Sequence, residues 1–219
     1  LVSSKVVDFS GHMGKFTSIL ETPAGRLEVR HGATILATGA VEYEPQEYLY
    51  GRHEAVLTQL QYEERFAAGH HLPKGAKVVM IQCVGSREPE HPYCSRVCCT
   101  NAVNNAIRIK THDPTAQVTI LYRDIRTFGF NELYYQKARD LGVRFIRFDL
   151  PDKPEVTATG SKLEVKVYDQ NLRAMIHLRA DYLLLSAALR PHPGTAEVAQ
   201  VYKLPADMDG FFLEAHVKL

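Results

Sequence analysis

The chain has 219 residues, 45% hydrophobic and 23% charged, with 26 Lys plus Arg against 25 Asp plus Glu and a net charge of +1. That balance offers no basic field for nucleic acid or an anionic membrane, and the longest apolar run, residues 182–189, is far too short to span a bilayer. The start, LVSSKVVDF, carries neither Met nor a charged-then-apolar leader, so the sequence is expected to be a cytoplasmic piece of a longer polypeptide, not a membrane, secreted, collagenous or disordered chain.

Residues 6–39 read as four short strands, KVVDFSG, KFTSILET, RLEVRH and ATILATG, with turns at Pro23-Ala24-Gly25 and His31-Gly32. A loop rich in Tyr, Glu and Pro follows over residues 41–52, then helical spacing over residues 58–68 that stops at Gly69. The pattern changes at residues 77–82, KVVMIQ, an unbroken apolar run of the buried parallel-strand kind. A helix is expected over residues 94–110, with Val97, Ala102, Val103, Ala106, Ile107 and Ile109 as its apolar stripe. A strand over residues 117–122, a helix over residues 131–141 capped by Asn131 and stopped by Gly142, and a strand over residues 143–148 complete the unit. This alternation predicts an α/β fold, a Rossmann-like, doubly wound parallel sheet with right-handed crossovers. Beyond Pro151 an antiparallel β-meander is expected over residues 155–158, 162–168 and 173–179, then a buried strand over residues 182–187 able to rejoin the parallel sheet. Residues 195–202 read as a short helix.

Four cysteines, Cys83, Cys94, Cys98 and Cys99, crowd between positions 83 and 99, and the rest of the chain has none. A disulfide scaffold would spread cysteines to close long loops, and packing alone would scatter them. Clustering points to a shared ligand or to thiol chemistry in a reducing compartment. The cluster falls where doubly wound folds bind ligands, outside the carboxyl end of a strand and at the next helix start. A dinucleotide site would carry Gly-x-Gly-x-x-Gly there, whereas this chain has only Gly85. Four thiolates suit a [4Fe–4S] cluster, with Arg87 and Arg96 adding positive charge. Adjacent cysteines point about 100° apart on a regular helix, so both reach one cluster only if the first turn is distorted. Structural zinc, a redox dithiol and a helix carrying buried thiols are the other readings; zinc prefers two close Cys pairs, and Cys-x-x-Cys spacing is absent. Asp124, after the second parallel strand, is expected to pair with an arginine, not with a ribose. No Ser-His-Asp or paired-carboxylate arrangement emerges from spacing, so no catalytic residue is named.

The segment Ala37-Thr38-Gly39, followed by a Rossmann-type insert, resembles two-dinucleotide-domain flavoproteins of the thioredoxin reductase type. VVMIQCVGSR and YCSRVCC, with YRDIRTFG and Glu132-Leu133-Tyr134-Tyr135, closely resemble the A-type subunit of heterodisulfide reductase and the related subunits of quinone-interacting membrane-bound oxidoreductase complexes. The resemblance implies an electron-transfer fragment of an iron–sulfur flavoprotein, inactive alone, in which flavin relays electrons among clusters and partner subunits. It gives the ligand role to Cys83, Cys94, Cys98 and Cys99, and FAD contact to Ala37, Thr38 and Gly39; Asn104 stands where many relatives carry a Lys close to the flavin. The implied organisation is partial FAD-domain strands over residues 1–50, a Rossmann-like unit of NAD(P)-domain type over residues 51–190, and the start of a return to the FAD domain over residues 191–219. A pyridine-nucleotide disulfide oxidoreductase domain and a zinc-stabilised interaction module are the rival functions.

Overall fold

The computed structural model describes residues 1–213, so the end of the expected return segment, residues 214–219, lies outside the described residues. The chain forms two compact units, one of residues 42–188 and one of residues 1–41 together with the stretch from Leu189 onward.

β1 (Lys5–His12), β2 (Lys15–Thr22) and β3 (Gly25–His31) pair antiparallel in that order, and the rings of Phe9 and Phe16 meet with centroids 5.0 Å apart. The fourth expected strand does not form. Residues 33–39 pair with no strand among the described residues, and Ile35 is 91% exposed. Extended backbone becomes a strand only where a neighbour takes up its N–H and C=O groups, and here the alternation buries almost nothing. A three-residue strand, β4 (Ala40–Glu42), follows.

The larger unit begins with β5 (Val56–Thr58), too short to be legible beside the helix it feeds, α1 (Gln59–Ala67). Thr58 ends the strand and caps the helix: its hydroxyl accepts the Gln61 N–H while the Gln61 side chain accepts the Thr58 N–H. β6 (Lys77–Val84), α2 (Cys98–His112), β7 (Gln117–Tyr122), α3 (Glu132–Asp140) and β8 (Arg144–Arg147) give the expected alternation. β9 (Glu155–Thr159), β10 (Lys162–Asp169) and β11 (Ala174–Ala180) form the meander. β12 (Tyr182–Ala187) then enters the parallel sheet between β5 and β6, giving the order β5-β12-β6-β7-β8.

The apolar runs are continuous because both sheet faces are covered. Val78, Met80, Val118, Ile120 and Leu184 face α1, α2 and α3, while Val79, Ile81, Leu121, Leu183 and Leu185 face Leu163, Val165, Val167 and Leu178 of the meander. The second face therefore carries sheet, not the helices a doubly wound fold would place there. Residues 162–169 bury every second side chain, a period that suits a strand and denies a helix its stripe. β13 (Leu189–Pro191) pairs with β4, and α4 (Thr195–Tyr202) sets Tyr202 4.5 Å from Phe9.

Candidate functional site

The cysteines gather where the chain leaves β6. Cys83, Gly85 and Arg87 all have left-handed backbone, with φ of +62°, +72° and +58°. Only glycine adopts that conformation freely, so the two other residues carry strain, and such strain concentrates at functional sites. Gly85 answers a second demand as well. The ring of Tyr43 lies over it, so close that an added Cβ would sit 2.4 Å from two ring carbons.

Arg123, at the end of β7 and 8% exposed, holds this corner. Its Nη1 donates to the Arg87 carbonyl at 2.7 Å and its Nη2 to the Ser86 carbonyl at 2.6 Å. Arg87 donates through Nη2 to Asp124 Oδ2 at 2.6 Å, the arginine pairing expected for Asp124, and its Nη1 lies 3.9 Å from Cys83 Sγ. The loop to the next cysteine is closed by the Arg87 N–H donating to the Tyr93 carbonyl and by paired bonds between Glu88 and His91.

Cys94 sits in that loop, half-buried, and its sulfur accepts the Arg96 N–H at 3.4 Å. Arg96 has φ of +65°, which a right-handed helix cannot contain, so α2 starts at Cys98 and not at Cys94. The first turn is regular, with the Asn101 N–H on the Val97 carbonyl at 3.0 Å; the expected distortion is not present. No side chain caps this helix start, which leaves the positive end of its dipole at Cys98 and Cys99.

The neighbouring Cys98 thiol lowers the Cys99 thiol, with help from the Arg126 N–H and the Arg87 and Arg126 charges. Its neighbour Cys99, with burial, pushes the Cys98 thiol up. Burial also pushes the Cys83 thiol up, and Arg123 opposes it. As a thiol, Cys99 reaches the Asp124 carbonyl at 3.6 Å. All four cysteines are free. Among the described residues no three His, Cys, Asp or Glu side chains converge tightly enough to hold a single metal ion.

Two residues at this corner escaped sequence reasoning as site residues, Arg123 and Gln82. Gln82 is 2% exposed, and both ends of its carboxamide lack a hydrogen-bond partner among the described residues. The available signal was a polar residue inside an otherwise apolar strand. Nearby, Gln59, Asn105 and Ser186 form a satisfied buried network: Asn105 donates to Gln59 at 2.9 Å, and Gln59 to Ser186 at 3.3 Å.

Ala37, Thr38 and Gly39 belong to the other unit, where Ala37 and Gly39 are exposed and Gly39 has φ of +66°. Asn104 lies on α2 beside Ile107, Arg108 and Thr111, lining a shallow cavity with Phe66 and His112, on neither the Cys98 nor the Cys99 stripe of the helix.

No family model matches the chain. It is 38% identical over 213 residues to the A-type iron-sulfur subunit of the CoB–CoM heterodisulfide reductase of Methanocaldococcus jannaschii, covering 88% of this chain and 32% of that protein. It is 34% identical over 240 residues to the A-type subunit of the ferredoxin:CoB-CoM heterodisulfide reductase of Methanosarcina acetivorans, covering 88% of this chain and 29% of that one. The chain thus spans about a third of the length of these relatives. Among solved structures, the thioredoxin reductase of Lactococcus lactis aligns with a TM-score of 0.53 and 18% identity over 97% of this chain and 61% of that chain, a likeness of fold.

Proposed function

Because the chain belongs to the family of heterodisulfide reductase A-type subunits, we propose that it is an electron-relay segment of an iron–sulfur flavoprotein. In this reading Cys83, Cys94, Cys98 and Cys99 hold a [4Fe–4S] cluster, for which the first turn of α2, regular here, has to open so that both adjacent thiols reach it. Ala37, Thr38 and Gly39 contact FAD, Asn104 lies toward the flavin, and other subunits of a heterodisulfide-reductase-like or quinone-linked complex exchange electrons with it. When bound, such a cluster supplies one-electron storage and transfer.

The observation that carries the reading is the donor set: four free thiols on one strained strand end, one loop and one uncapped helix start. The chain's own residues suit an anionic group there. The α2 start and Arg87, Arg96 and Arg126 supply positive charge, and Arg123 fixes the strained corner through two carbonyls. The buried, unpartnered carboxamide of Gln82 beside Cys83 adds an unused donor. The vicinal Cys98-Cys99 pair and the ten-residue gap between Cys83 and Cys94 fit the two close pairs of structural zinc poorly, whereas a cluster takes one thiolate per iron.

The test is anaerobic reconstitution of the full chain with iron and sulfide. About four of each per chain are expected, and separate Cys98→Ser and Cys99→Ser changes each lower that content, since a weaker ligand replaces a thiolate. Full iron and sulfide in either single variant, or uptake of zinc alone, overturns the four-ligand reading.

A further inference from the structure

Gln82 stands in a run of apolar strand residues, yet neither its Nε2 nor its Oε1 has a partner among the described residues. Leaving a buried amide unpaired costs about 1–3 kcal/mol per group. A leucine of similar size would avoid that cost, so the carboxamide needs a physical reason to be there.

Its place narrows the reason. Alternation along β6 holds through Ile81 and puts Gln82 on the helix-covered face of Val78 and Met80; the register with β12 shifts just after it, where Cys83 turns left-handed and Val84 joins the other face. On β12, Ser186 follows Leu184 on that same face, and Leu184 stands opposite Met80, so Gln82 and Ser186 flank one seam between neighbouring strands. On α2, Cys98, Ala102 and Asn105 form one stripe, one and two turns apart. Asn105 reaches that seam through Gln59 and Ser186. Cys98 stands on that stripe two turns before Asn105, at the end of α2 that meets the carboxyl ends of the strands. Cys99 turns the other way, to the Asp124 carbonyl beyond β7.

We propose that the Gln82 carboxamide is a positioning residue of the cluster site, its Nε2–H donating to a sulfur on the helix side of the sheet, where Cys98 begins α2. This rests on the four-cysteine reading above. Hydrogen bonds to cluster sulfurs favour the more reduced, more anionic state and raise the potential. The role is separate from ligation, since Gln82 gives no thiolate, and it assigns work to a residue next to a ligand on the chain.

The full chain, reconstituted anaerobically with iron and sulfide and labelled with 15N only at glutamine side-chain amides, provides the test. It would be compared with Gln82→Met and Gln82→Leu, which keep the volume and remove the donor. Pulsed electron paramagnetic resonance is expected to show a glutamine nitrogen coupled to the wild-type cluster and absent from both variants. The midpoint potential is expected to fall in the variants by roughly a tenfold change in the oxidised-to-reduced ratio, about 59 mV for one electron. Loss of that coupling in either folded variant assigns it to Gln82 among the labelled glutamines, so one folded variant suffices. An uncoupled wild-type cluster, or an unchanged potential in a folded variant with full iron, overturns the proposal and leaves Gln82 to a buried water. A wild-type chain that takes up no cluster overturns the four-cysteine reading, and the proposal with it.

Discussion

At Gly85 two constraints coincide, a left-handed backbone and an aromatic ring lying where a side chain would start. Gly85→Ala is expected to destabilise the chain by about 2 kcal/mol or more, combining backbone strain with overpacking. Denaturant unfolding measures it. Adding Tyr43→Ala to Gly85→Ala should return about 1 kcal/mol or more, because the clash is lost while the strained φ remains. Strictly additive losses would show that the ring gives way at no cost. The cysteine pattern was legible in the sequence because clustering needs no fold to be noticed. Arg123 was not, although its position after an apolar strand was plain, because its partners are the carbonyls of Ser86 and Arg87. Backbone acceptors leave no mark in sequence. The left-handed turn at Arg96 was equally hidden, since arginine carries no preference for that conformation, and it moved the helix start from Cys94 to Cys98.

Elements were legible in proportion to how completely they are buried. β6, β7 and β12 announce themselves as apolar runs, and β10 as a clean alternation. β5 was missed because three residues cannot show a period, and residues 33–39 were over-read because apolar residues spaced along extended chain mean a strand only when a neighbour pairs with them. Asp113 shows how one element is pinned to another. Just past α2, its carboxylate accepts the Gly75 N–H at 2.6 Å, ahead of β6, and the Thr115 N–H at 2.9 Å and hydroxyl at 2.6 Å. These bonds hold the carboxyl down at about 2, below its ordinary 3.8. A depressed carboxylate contributes stability that is fully present above pH 4 and lost as the pH falls through 2. Asp113→Ala should therefore unfold at lower denaturant than the parent at neutral pH, with the gap closing between pH 4 and 2. A gap that stays constant across that range would mean the carboxylate's charge is not what matters.

On the scale of the whole molecule, the sheet presents its carboxyl end as a Rossmann-like fold does, but the place of a phosphate-binding loop is taken. Gly85 is covered by Tyr43, Arg123 occupies the neighbouring carbonyls, and the start of α2 carries two buried thiols. NADH and NADPH are expected to bind more weakly than about 1 mM, and calorimetric titration checks it; tight, saturable binding would contradict the expectation. The order β5-β12-β6 has a further consequence, in time. During synthesis β6, β7 and β8 can pair one after another as they emerge, each next to the last. β5 cannot join them, because the strand it needs arrives 127 residues later, the separation between Gln59 and Ser186. Through that interval α1 has no sheet to rest on, and the edge of β6 that will take up β12 stays unpaired. The cysteine corner is thus assembled from consecutive pieces of chain while the domain around it is still unfinished, and the ribosome must deliver β12 before the seam beside it can shut.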